Sequence, residues 1–108
     1  MKNNIPTLAA RVKDNPNDSF SKFALALELM KIGLNEKALV LFESIIENDP
    51  NYVGVYYHLG ALYISLDENK KGINTYKKGI EIANTIKDQH VRSELQSALM
   101  SFELNQDS

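Results

Sequence analysis

The sequence predicts an all-α chain, a short α-solenoid of antiparallel helix pairs closed by a C-terminal capping helix. Three observations predict it. The chain repeats itself at a spacing of 34 residues. Within each period the apolar residues recur at three- and four-residue steps, the spacing of a helix face, with no alternating strand pattern. Small residues fall at matching places in each period, where two helices can approach closely.

The repeat is read by sliding the chain against itself. Pro16 falls on Pro50, Asn17 on Asn51, Leu25 on Leu59, Ala26 on Gly60, Asn35 on Asn69 and Ala38 on Gly72. Some positions run through three copies: Ile5, Leu39 and Ile73; Leu8, Phe42 and Tyr76; Val12, Ile46 and Ile80. Apolar matches apolar, and small matches small.

The elements follow in order. Ile5, Leu8 and Val12 mark a first helix over about 4–14, stopped by Pro16, which cannot continue a helix without losing an amide. A second helix over 18–32 carries two apolar stripes and so touches neighbours on more than one side. Asn17 is its expected N-cap, and Gly33 its expected left-handed terminator. The third helix, 36–48, has a single stripe through Ala38, Leu39, Phe42, Ile45 and Ile46, as the outer member of a pair would. Asn51 and Asn69 repeat the capping roles for helices over 52–66 and 70–86, with Asn35 capping the third. Asp67 stands where Gly33 stood, a less comfortable left-handed residue. The last helix, 89–104, has Val91, Leu95, Leu99 and Phe102 on one face, Arg92, Glu94, Gln96, Ser97 and Ser101 on another, and Asp88 as N-cap. It fits the repeat only with about two extra residues in the preceding loop, and its polar face suits the wet end of a stack.

Ala26 is expected to face Ala38, and Gly60 to face Gly72. A mid-helix glycine costs roughly 1 kcal/mol against alanine, so Gly60, Gly72 and Gly79 imply tight crossings.

Composition bounds the function. The chain has 108 residues, 44% of them hydrophobic and 24% charged, with net charge −2. One domain spanning 1–108 is expected. The charge argues against nucleic acid as a partner, and no apolar run reaches the ~18 residues that span a membrane. No signal peptide opens the chain, and it has no cysteine, which excludes disulfides and thiol chemistry and fits a cytoplasmic protein.

No phosphate loop, HExxH motif, calcium loop or nucleophile elbow is present, so no enzyme, cofactor or metal is expected. His58 and His90 lie on different helices without a third ligand. Lys70, Lys71, Lys77 and Lys78 share a helix face that reads as solvated. Asn17-Asp18-Ser19 matches a glycosylation acceptor, which carries no weight without a secretory signal.

Tyr56, Leu59, Gly60 and Tyr63, followed by Gly72 and Tyr76, and in the first copy Ala38, Phe42 and Pro50, resemble the tetratricopeptide repeat (TPR) family. The likeness is to small stand-alone bacterial members. It covers about 5–86, with a partial repeat helix over 4–16, repeats at 19–52 and 53–86, and the capping helix at 88–104. The first copy departs with Lys22 at the opening aromatic slot and Leu29 at the tyrosine slot.

The resemblance implies a right-handed superhelix whose first helices line a concave face that binds a peptide or helix of a partner protein. The slots on that face are Phe20, Phe23, Leu27 and Met30 in the first copy, and Tyr57, His58, Ala61 and Ile64, with Gly54, in the second. Members that clamp a C-terminal carboxylate use Lys and Asn at slots held here by Phe23, Leu27 and His58, so no such clamp is expected. Three coverings of this apolar face stay open: a partner's peptide or helix, a second copy in a homodimer that makes the chain a structural or regulatory subunit, or the chain's own first or last helix.

Overall fold

The computed structural model describes residues 4–106, which form six helices and, among the described residues, no strand. The chain divides into two compact units, Met1–Tyr52 and Val53–Ser108.

The first unit holds α1 (Ile5–Asp14), α2 (Ser19–Lys31) and α3 (Asn35–Asn48). Pro6 sits in the first turn of α1, where its missing N–H costs nothing. Helix α1 rests on α2, and α2 on α3. The second contact buries Leu25, Ala26 and Leu29 from α2 and Ala38, Phe42 and Ile45 from α3. Ala26 and Ala38 are both fully buried.

The second unit holds α4 (Val55–Ser65), α5 (Asn69–Ile86) and α6 (Gln89–Gln106). Helix α4 buries residues around most of its circumference, because it packs on both α5 and α6. The glycine slots are contact points. A Cβ added at Gly60 would lie 2.5 Å from the Tyr76 ring, and one at Gly72 would lie 2.9 Å from the Gly60 carbonyl oxygen. At Gly79 it would lie 2.6 Å from Tyr56 Cβ and 2.8 Å from Leu95 Cδ1. Leu95 is the one residue of α6 that is fully buried. One period on from Gly60, with the two extra residues allowed, the small slot of α6 is Gln96, which is exposed.

The helix ends correct several capping expectations. The N-cap of α2 is Asp18, not Asn17: its carboxylate accepts the Ser21 amide and, at 2.6 Å, the Ser21 hydroxyl. A charged acceptor that also suits the positive end of the helix dipole outcompetes a neutral amide. Asn35 and Asn69 are not caps either; they are the first helical residues, and Leu34 and Glu68 hold the cap positions without side-chain bonds.

The reason lies in the preceding helix. Gly33, at φ +82°, closes α2 with Leu34 N–H donating to Leu29 O and Gly33 N–H to Met30 O. Asp67, at φ +63°, closes α4 with the same pair of bonds, from Glu68 to Tyr63 and from Asp67 to Ile64. This motif ends the helix in two residues and makes the second of them the N-cap of the next. Asn51 is no cap because α4 starts at Val55, later than the expected 52; a turn from Asp49 to Tyr52 comes first. Asp88 does cap α6, accepting the Val91 amide at 3.1 Å.

Candidate binding clefts

Two clefts open on the first helices of the pairs, one in each unit. In the first unit a cleft of about 600 Å³ runs between α1 and α2. Leu8 forms one wall; Phe20, Ala24, Leu27 and Met30 form the other. Glu28 and Lys31 also border it and pair with each other at 3.4 Å. Phe20 is 62% exposed, a large cost to leave uncompensated for a ring of that size.

In the second unit a cleft of about 620 Å³ lies between Tyr57 and Tyr76 on one side and α6 on the other. Its α6 wall is polar: His90, Ser93, Glu94, Ser97 and Ser101, with Ala98 among them. The two phenols are near enough that burial and the Tyr57 hydroxyl together push the Tyr76 pKa up. Tyr57 meets the His58 ring edge-on at 5.5 Å. Burial pushes the His58 pKa down, and the Glu94 carboxylate partly offsets this. Glu94 also lies 3.7 Å from His90 Nε2.

The nine slots on the expected concave face therefore divide, and Gly54 among them is the N-cap of α4. Phe20, Leu27 and Met30 line the first cleft and Tyr57 the second, with His58 beside it. Phe23 is half-buried between Phe42 and Tyr52, at 6.1 and 5.6 Å, so its ring serves the packing of its own unit. Ile64 lies against Gly72 and supports the α4–α5 crossing. Ala61 is half-buried and borders neither cleft.

Sequence reasoning missed Leu8 and Ala24 in the first cleft and Ser93 and Ala98 in the second, and read Glu94, Ser97 and Ser101 as part of a polar face suited to the wet end of a stack. A signal for both was present. Phe20, Ala24, Leu27, Glu28 and Lys31 recur at an offset of 70 residues as His90, Glu94, Ser97, Ala98 and Ser101, and Leu8 recurs at 68 as Tyr76. Both clefts are the same groove of the repeat with different linings. Among the described residues, no group of three His, Cys, Asp or Glu is placed to hold a metal ion, and no helix is long and apolar enough to cross a membrane.

Paired antiparallel helices, small residues at their crossings and open grooves beside the first helices define a helical-repeat interaction module. The family model described as tetratricopeptide repeat matches residues 1–99, and the chain belongs to that family. It is similar to a tetratricopeptide repeat domain protein from Salinibacter ruber, with 47% identity and TM-score 0.76, over 81% of this chain and 88% of that one. It is also similar to YrrB, described as a TPR protein with an unusual peptide-binding site, with 25% identity and TM-score 0.73, over 86% of this chain and 46% of that one. The TPR2B domain of yeast Sti1, solved in complex with pHsp70, shares the fold at 18% identity and TM-score 0.84, over 96% of this chain and 82% of that one. No curated protein sequence matches significantly.

Proposed function

We propose that the chain is a non-enzymatic docking module of the cytoplasm that holds a peptide or helix of a partner protein in the grooves beside its first helices, with Phe20, Leu27 and Met30 as the lining in the first unit and Tyr57 and His58 in the second. The single observation that carries this reading is the exposed Phe20 ring beside Leu8, Leu27 and Met30 in an open cleft. Apolar anchors in a preformed groove supply binding energy, and the polar surround supplies register. Likeness to YrrB, which has a peptide-binding site, supports the same class of partner. Phe23 and Ile64 serve packing in this reading, and Ala61 borders neither cleft, so none of the three is an anchor.

The test uses peptides selected from a random display library on the whole chain, then measured against variants. Phe20→Asp with Tyr57→Ala should weaken the selected peptides at least tenfold while helical circular dichroism stays unchanged. Binding that survives both substitutions would overturn the docking reading. Light scattering on the purified chain decides the rival reading: a dimer that Phe20→Asp dissociates would mean that a second copy occupies the cleft.

A further inference from the structure

The second cleft has a chemistry that the first lacks, and it narrows what can lie there. Its α6 wall presents the Glu94 carboxylate and the hydroxyls of Ser93, Ser97 and Ser101, and the opposite wall presents the Tyr57 and Tyr76 phenols. Every one of these groups can accept a hydrogen bond. No lysine or arginine lines the cleft, so Glu94 has no permanent cation within it. His90, 84% exposed at the rim, approaches Glu94 only at 3.7 Å, and it is a cation only when protonated.

An anion placed here would face a carboxylate that no lysine or arginine of the cleft offsets. A cation would meet a carboxylate, several neutral acceptors and a 41% exposed tyrosine, a set of groups that favours an ammonium or guanidinium group. The equivalent positions in the first cleft are Phe20, Ala24 and Leu27, so the change from an apolar to an acceptor-rich wall falls on the groove-facing positions themselves.

We infer that the α4–α6 cleft is a binding site for a lysine or, better, an arginine side chain of an extended partner segment, with Glu94 as its counter-ion and Tyr57 as its stacking surface. The inference rests on the docking reading and adds the charge of the partner to it. Arginine is preferred because its planar guanidinium can pair with a carboxylate and stack on a ring at once.

The test uses two fluorescein-labelled nine-residue peptides on a Gly/Ser background, one with two central arginines and the other with glutamates in their place. Anisotropy is read at 150 mM salt on the whole chain and on Glu94→Gln, Glu103→Gln and Phe20→Asp variants. Glu103 is exposed on the same helix outside the cleft, so its variant changes net charge equally without touching the site. The arginine peptide should bind at least tenfold tighter than the glutamate peptide. Glu94→Gln should lose five- to tenfold of that affinity, with Glu103→Gln unchanged and circular dichroism the same for all.

Equal effects of Glu94→Gln and Glu103→Gln, or equal binding of the two peptides, would overturn the inference. In that case loss of the display-selected peptides in Phe20→Asp would leave the docking reading standing on the first cleft. If neither the arginine peptide nor any selected peptide binds, both fall.

Discussion

Gly79→Ala tests the packing of the second unit at its tightest point. The new methyl would lie 2.6 Å from Tyr56 Cβ, 3.0 Å from Tyr56 Cγ and 2.8 Å from Leu95 Cδ1. Carbon atoms prefer separations of about 3.5–4.0 Å, so each gap must widen by close to 1 Å. Tyr56 Cβ is one bond from the α4 backbone and cannot swing aside; Leu95 is fully buried and has nowhere to go. Relief therefore needs the helices themselves to part. Overpacking of this kind costs typically ~1–3 kcal/mol, and neighbours that cannot yield put Gly79→Ala at the upper end. Alanine returns roughly 1 kcal/mol through its better helix propensity. The net loss is about 2 kcal/mol, or roughly 8–12 °C in melting temperature for a chain of this size. Urea unfolding followed by circular dichroism measures it. Adding Tyr56→Ala should cost less in the Gly79→Ala background than in the parent, because the two side chains compete for one space. A Gly79→Ala variant as stable as the parent, or more so, would refute the close crossing, since propensity alone would then decide the outcome.

The remaining predictions concern the helix ends and the cap. Asp67→Gly should stabilise the chain by about 0.5–1 kcal/mol in thermal melts, since it removes the cost of a left-handed L-residue at φ +63°. Gly33→Ala, at φ +82°, should lose about 1 kcal/mol for the converse reason, although its methyl would touch nothing. Leu95→Ala should cost about 2–5 kcal/mol by leaving a cavity under α6. The Ser21 hydroxyl bond holds the Asp18 carboxyl below its ordinary 3.8. A carboxyl with a depressed folded pKa stabilises the fold above its unfolded value and loses that contribution as pH falls through the folded one. Acid titration of the parent should therefore show a fall in stability below about pH 4 that Asp18→Asn flattens, and an identical acid limb in the variant would remove the cap from the account.

Much of this was legible in the sequence because the repeat samples each physical constraint twice. Ala26 and Gly60, or Gly33 and Asp67, fall at equivalent places, so a weak local preference becomes a pattern. The caps were less legible. Asn17, Asn35, Asn51 and Asn69 all have the right chemistry for a cap, yet none serves as one. Their role depends on how the preceding helix ends, and a two-residue terminator moves the next helix start by one position. The clefts were legible in location and not in lining. A helical wheel shows that Glu94, Ser97 and Ser101 share a polar face; it does not show that Tyr57 and Tyr76 stand across from that face.

The two copies also show what this repeat holds constant. At one pair of equivalent slots the first unit has Lys22 and Ile45, both buried, and the second has Tyr56 and Gly79. In the second copy the glycine lies directly against Tyr56. Burial at these slots is kept while identity is not. In the first copy the long side chain also needs a polar end-point, and Lys22 Nζ finds it by donating to the Ser44 hydroxyl at 2.9 Å. The same separation governs the grooves. The positions that line a cleft recur at the repeat offset, whereas the residues there change from Phe20, Ala24 and Leu27 to His90, Glu94 and Ser97. None of the six is fully buried, so none is held by the close packing that constrains the crossings. A repeat built this way can change what it binds without changing how it folds. Substitutions at cleft positions should accordingly alter ligand preference and leave the unfolding free energy within ~0.5 kcal/mol of the parent in urea titrations. Exchanging Glu94 for Ala and Ala24 for Glu, singly and together, measures this directly; a large loss of stability in either single variant would show that the grooves are part of the core after all.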